Sequence, residues 1–146
     1  MIMDEREELT LKLWIQVVRL ANKLQKDVDS RLRQEFGQNL TRFDVLSQLE
    51  RVPKTELPVG QLSASLLTST SNITRLLDRM EADGLLVRRL SKTDRRSFVV
   101  SATPKGLSLF RNMALANARW IKDAFVAIDS NKMVALEKAL RVIAAD

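Results

Sequence analysis

The sequence has 146 residues, 45% apolar and 29% charged, with 24 Lys and Arg against 18 Asp and Glu for a net charge of +6. That balance fits one small globular domain with attached helices, and the excess of cations points to an anionic partner. Cysteine and histidine are both absent, which excludes a disulfide scaffold, a thiolate nucleophile and an iron–sulfur cluster and removes the commonest metal ligand and general base.

The opening MIMDEREELT is polar and acidic, and no apolar run reaches the roughly 18 residues of a membrane span, so a cytoplasmic protein is expected. Over about residues 7–36, Leu9, Leu13, Val17, Leu20, Leu24, Val28 and Leu32 recur at steps of three and four. Trp14, Val18 and Ala21 form a second flank. This spacing predicts one long amphipathic helix. Thirty residues of helix span roughly 45 Å, more than a small core covers, so part of the stripe is expected to pack on a second subunit. Gly37, Gln38 and Asn39 read as its stop. Thr41 suits the cap of the next helix, with Asp44 in the capping-box position and Phe43, Val45, Leu46 and Leu49 on the apolar side.

Pro53 and Pro58 bracket a loop, and Val59, Leu62, Leu66 and Leu67 mark a short helix. Ser69 can cap a further helix over about residues 70–82, stopped by Asp83 and Gly84. Its wheel puts Ile73, Leu76, Leu77 and Met80 on one face and Ser71, Thr74, Arg75 and Asp78 on the other. Residues 85–90 and 97–102 are β-prone and flank the polar turn 91–96, which makes a hairpin. Pro104 opens a helix to about residue 128, with Leu107, Phe110, Met113 or Ala114, Ala118, Ile121 and Phe125 on its stripe. Asp129 or Ser130 caps a last helix carrying Val134, Leu136, Leu140 and Ile143.

Two helices joined by a short turn and followed by a hairpin make a winged helix-turn-helix, so the expected fold is mainly α with a small β-hairpin wing. The second helix of that motif enters the major groove. Ser71 and Thr74 can bond phosphates or base edges, Asn72 can pair with adenine, and Arg75 can pair with guanine or grip a phosphate. Between residues 85 and 105 stand Arg88, Arg89, Lys92, Arg95, Arg96 and Lys105 against the single acid Asp94. A hairpin tip bearing arginines suits the adjacent minor groove. Asp94 is expected to bond a nearby arginine or the loop backbone and so fix the wing's shape. Arg88 and Arg89 can equally be solvated strand residues.

Taken in order, Leu40-Thr-Arg-Phe-Asp-Val-Leu46, Asn72-Ile-Thr-Arg-Leu-Leu-Asp-Arg-Met80, Asp83-Gly-Leu-Leu-Val-Arg88, Asp94-Arg-Arg96 and Ala102-Thr-Pro-Lys-Gly106 resemble the MarR family of bacterial transcriptional regulators. The resemblance covers about residues 14–120. It implies an obligate homodimer held by the first and last helices, bound to a pseudo-palindromic operator in double-stranded DNA, usually as a repressor. The chain then divides into a dimerisation helix (1–36), a winged helix-turn-helix DNA-binding domain (37–103) and C-terminal dimerisation helices (104–146). The DNA-binding candidates are Ser69, Thr70, Ser71, Asn72, Thr74 and Arg75 at the recognition helix, with Arg95 and Arg96 on the wing. By position, Arg96 enters the minor groove and Asp94 orients it.

Trp14 and the segments 41–46 and 113–120 resemble a branch that responds to aromatic acids or their thioesters. Trp14, Arg19, Arg42, Phe43, Met113 and Trp120 are the ligand candidates this implies. Asn117-Ala-Arg119 stand where that branch carries a His-Glu pair. The aromatic and Met residues have an alternative reading as plain core, and Arg19 and Arg42 as partners of Asp44 or Glu35. The reading is a homodimeric, sequence-specific transcriptional regulator, a repressor released by a small aromatic or anionic ligand. The alternative is a winged-helix architectural or protein-interaction module that binds nucleic acid without sequence choice. No enzyme activity, cofactor, metal or membrane association is expected.

Overall fold

The structure, a computed structural model, describes residues 2–68 and 71–145. Two compact units are present, Met1–Ala114 and Leu115–Asp146. The first opens with α1 (Glu5–Phe36), which starts at a capping box: Asp4 accepts from the Glu7 N–H, and the Glu7 carboxylate accepts from the Asp4 N–H. It stops at Gly37, whose φ of 65° supplies the left-handed residue that ends a helix without a Cβ penalty. Its apolar stripe is divided: Val28 and Leu32 are buried, whereas Leu9, Leu13, Trp14, Val17 and Leu20 are exposed.

Helix α2 (Leu40–Glu50) is capped by Asn39, not Thr41, with the Asn39 Oδ1 accepting from the Arg42 N–H at 2.8 Å. The earlier cap places Asp44 inside the helix, on its buried side. Asp44 is not a capping-box acid; it is the one buried charged residue among those described. One of its oxygens accepts from both the N–H and the hydroxyl of Thr68, at 2.8 and 3.0 Å. The other is buried without a hydrogen-bond partner among the described residues.

A 3-10 turn over Pro53–Thr55 leads into β1 (Glu56–Pro58), a strand where the sequence suggested only a loop. Three residues are too few to show alternation. The strand exists because β3 offers it an edge, with Leu57 opposite Val100. Helix α3 (Val59–Ser65) buries Leu62, and Leu67, expected on that helix, lies beyond it and is exposed. Helix α4 (Ile73–Ala82) is followed by β2 (Leu86–Leu90) and β3 (Phe98–Ala102), and the antiparallel sheet has the order β1-β3-β2. Leu46, Leu49, Leu77, Met80, Leu85, Leu86, Val100 and Met113 are fully buried and form the core of this unit.

Helix α5 (Pro104–Ala124) begins against the turn that follows α4. Thr103 donates its hydroxyl to the Gly84 carbonyl at 2.6 Å and its N–H to the Leu85 carbonyl. Gly106 packs so closely there that a Cβ would overlap the Leu85 carbonyl oxygen. In the second unit, Asp129 caps α6 (Ser130–Ala144), accepting from the Lys132 N–H. Val134, Leu136, Leu140 and Ile143 on this helix are exposed. Among the described residues no helix is long and apolar enough to cross a membrane.

Candidate nucleic-acid interface

Helix α4 separates its faces as its sequence dictates. Leu77 and Met80 are buried and Ile73 and Leu76 half-buried, while Ser71, Asn72, Thr74, Arg75 and Asp78 are exposed. The cap lies three residues later than Ser69. Asn72 holds it, its Oδ1 accepting from the Arg75 N–H at 3.0 Å. Asn72 is a residue type that caps helices well, and it directly precedes Ile73, the first apolar residue of the inward face. The adenine-reading role assigned to Asn72 therefore shares an oxygen with the helix end. Ser69 and Thr70 lie outside the described residues.

Of the six cations between residues 85 and 105, three are tied into the fold. The Arg88 guanidinium reaches Asp78 and, at 3.2 Å, Glu81, both on α4, and its N–H donates to the other Glu81 oxygen at 2.8 Å. Burial works against the charged form of Arg88, but bonds to Asp78 and Glu81 outweigh it and raise its pKa. The Arg88 N–H and then its guanidinium hold the Glu81 carboxyl below its ordinary value. Arg89 pairs with Glu56 of β1 at 3.1 Å, and Ser101 donates to the same carboxylate. Neither arginine is a simple solvated strand residue. Lys105 donates its ammonium to the Asp83 carbonyl at 2.8 Å.

The other three cations, Lys92, Arg95 and Arg96, occupy the exposed wing tip, and their side chains have no partner among the described residues. The tip is closed by the Ser91 N–H bonded to the Ser97 carbonyl at 2.9 Å. Inside it, the Ser91 hydroxyl accepts from the N–H groups of Thr93 and Asp94. Asp94 accepts from the Arg96 main-chain N–H at 3.0 Å. Its carboxylate thus fixes the backbone that carries Arg96 rather than gripping the guanidinium, the second of the two roles its position allowed.

The ligand candidates differ in their surroundings. Trp14 and Arg19 line a shallow, largely apolar groove on α1 with Ile15 and Val18. Arg42 is mostly buried and pairs with Asp83, at the end of α4, at 2.7 Å and with Gln38 at 3.1 Å. Its partner is thus neither Asp44 nor Glu35, because α2 points this side chain across to the exit of α4. Phe43 packs on Phe110 with ring centroids 5.4 Å apart. Met113 is fully buried core. Trp120 is half-buried on the part of α5 that belongs to the second unit.

Comparison with known proteins agrees with this architecture. Residues 36–97, the stretch from the end of α1 through the wing tip, match the MarR family model. The chain is 30% identical over 127 residues to the HTH-type transcriptional regulator MhqR of Bacillus subtilis, covering 87% of this chain and 85% of that protein. A MarR family transcriptional regulator from Silicibacter pomeroyi superposes with a TM-score of 0.81 at 29% identity, over 97% of this chain and 96% of that one. Sco3205, a MarR family regulator from Streptomyces coelicolor solved in complex with DNA, shares the fold with a TM-score of 0.81 at 20% identity, over 99% of this chain and 89% of that one. These proteins are transcriptional regulators rather than enzymes, and this chain belongs to the MarR family of DNA-binding transcriptional regulators.

Proposed function

We propose that the protein is a homodimeric, sequence-specific regulator that represses transcription from a pseudo-palindromic operator and is released by a small aromatic or anionic ligand. The observation that carries this reading is the pairing of an exposed polar α4 face with a wing tip whose three cations are left free while the other arginines of the wing are consumed in ion pairs. Cations already paired with carboxylates neutralise phosphate less effectively than cations left unpaired at the tip. Ser71, Thr74 and Arg75 would read the major groove, and Arg96 the minor groove beside it.

The dimer is supported by the exposed apolar rows of α1 (Leu9, Leu13, Val17, Leu20) and of α6 (Val134, Leu136, Leu140, Ile143), which a second copy would cover. For the ligand, the Trp14–Arg19 groove offers apolar walls beside a cation, which suits an aromatic carboxylate. Release follows if that ligand favours a dimer whose recognition helices no longer match major grooves about 34 Å apart.

The decisive experiment is selection of duplexes from a random-sequence pool, followed by footprinting of the enriched site. A discrete palindromic footprint is expected, with Arg96→Ala lowering the salt dependence by about one unit. Uniform, salt-sensitive protection of every duplex would instead establish an architectural module. An aromatic carboxylate should then weaken the footprint and quench tryptophan fluorescence, and sedimentation should give twice the monomer mass.

A further inference from the structure

We propose that Arg88 is a positioning residue for DNA recognition: from β2 it clamps α4, so that the recognition helix and the wing present themselves to DNA at one fixed spacing. The proposal rests on the DNA-reading role given above to α4 and the wing.

The chain passes from α4 to β2 through Asp83, Gly84 and Leu85, and Gly84 is left-handed, with φ 74°. This turn is the pivot between helix and strand. It is held at its centre by the Leu85 N–H on the Met80 carbonyl and by Thr103 on the Gly84 and Leu85 carbonyls, and bonds that reach from α4 to β2 further fix the direction of the strand. Asp78 and Glu81 lie three residues apart on α4, one turn of the same face, before the pivot. Arg88 lies after it. The side chain of Arg88 meets both carboxylates, and its N–H meets Glu81 as well, so three bonds close a ring around the turn.

The strand end of the clamp is equally fixed. Arg88 stands opposite Val100, a buried residue of the central strand, which is paired in turn with Leu57 of β1. The helix is therefore hooked to the middle of β2, where that strand pairs with the central strand, and not to the wing tip. A guanidinium is suited to this because its planar set of five donors can serve two carboxylates at once; an ammonium is a point charge. The spacing matters because a helix in the major groove and a hairpin in the next minor groove must engage together or lose one set of contacts.

A cation beside a recognition helix also has a simpler use, direct phosphate contact, and the two roles separate by experiment. Affinity is measured across salt concentration for the duplex that wild-type protein enriches from a random pool and for a random-sequence duplex of equal length. If Arg88 positions, Arg88→Lys keeps the charge but lowers the selected-to-random affinity ratio about tenfold, the scale of one lost base contact, with the salt slope unchanged. The Asp78→Asn/Glu81→Gln pair lowers the same ratio, although removing two negative charges near DNA should tighten binding by Coulomb's law. Because that pair and Arg88→Lys keep the side-chain sizes close to the original, they carry the test even where Arg88→Gln does not fold. A wild-type ratio in Arg88→Lys overturns the proposal, as does a slope reduced by about one unit in Arg88→Gln at constant ratio. Failure of wild-type protein to enrich any site defeats the sequence-specific reading instead. The clamp is then read without DNA: Arg88→Lys should speed amide exchange across residues 84–88, and unchanged exchange there overturns it.

Discussion

Replacing Gly106 with Ala sets two effects of opposite sign against each other. Gly106 is the third residue of α5, and by helix propensity alone Ala should stabilise the protein by about 0.5–1 kcal/mol. The packing predicts the reverse. A Cβ at Gly106 would overlap the Leu85 carbonyl oxygen, lie 3.0 Å from the Leu85 carbonyl carbon and 3.3 Å from a methyl of Leu46. Two of these atoms are backbone, and Leu85 is pinned on both sides: its N–H donates to the Met80 carbonyl and its carbonyl accepts from Thr103. Relief therefore requires α5 to back away from the α4–β2 turn, at the roughly 1–3 kcal/mol typical of overpacking. The net change is a loss of about 1–2 kcal/mol, equivalent to a melting temperature lower by roughly 3–8 °C for a chain of this size. Thermal and urea melts at one fixed protein concentration would measure it, which keeps any contribution from self-association constant. The DNA affinity should fall as well, because the displaced turn sets where β2 begins. A melting temperature at or above that of wild type would refute the close-approach argument.

Asp94→Ala removes a negative charge from the wing, so simple repulsion predicts tighter DNA binding; loss of its bond to the Arg96 N–H predicts weaker binding at fixed salt, which a gel-shift titration decides. Arg42→Gln should cost about 1 kcal/mol in urea unfolding, since its ion pair with Asp83 is mostly buried on the arginine side and half-exposed on the other; a neutral result would make the link between α2 and the end of α4 dispensable. The protein contains no histidine or cysteine, so stability should be flat from about pH 8 to pH 5.5. Below that it should fall. Glu56 and Glu81 are held under their ordinary 4.5 by bonds from Arg89 and from Arg88, so the stability they contribute is complete above 4.5 and lost as pH drops through their folded values. Urea midpoints measured at pH 7 and pH 3.5 test this, and Glu81→Gln should flatten the acid limb.

Periodicity alone determined which faces of the helices turn inward. The stripe of Ile73, Leu76, Leu77 and Met80 fixes how α4 lies and therefore which polar residues face outward, because a 3.6-residue repeat leaves no second way to bury four apolar side chains. The stop at Gly37, the hairpin and its cationic tip were equally legible, since glycine conformation and turn chemistry act within a few residues. Other features depended on partners distant in sequence. Strand β1 is three residues long and exists through its pairing with β3, more than 40 residues away. Asp44 looked like a capping residue because nothing local shows that Thr68 will donate to it across the fold. Arg88 and Arg89 carried the same formal charge in the sequence as Arg95 and Arg96. Only tertiary structure brings acids from α4 and β1 to the first pair and leaves the second pair without them, and so decides which cations hold the molecule together and which stay unpaired at the wing tip.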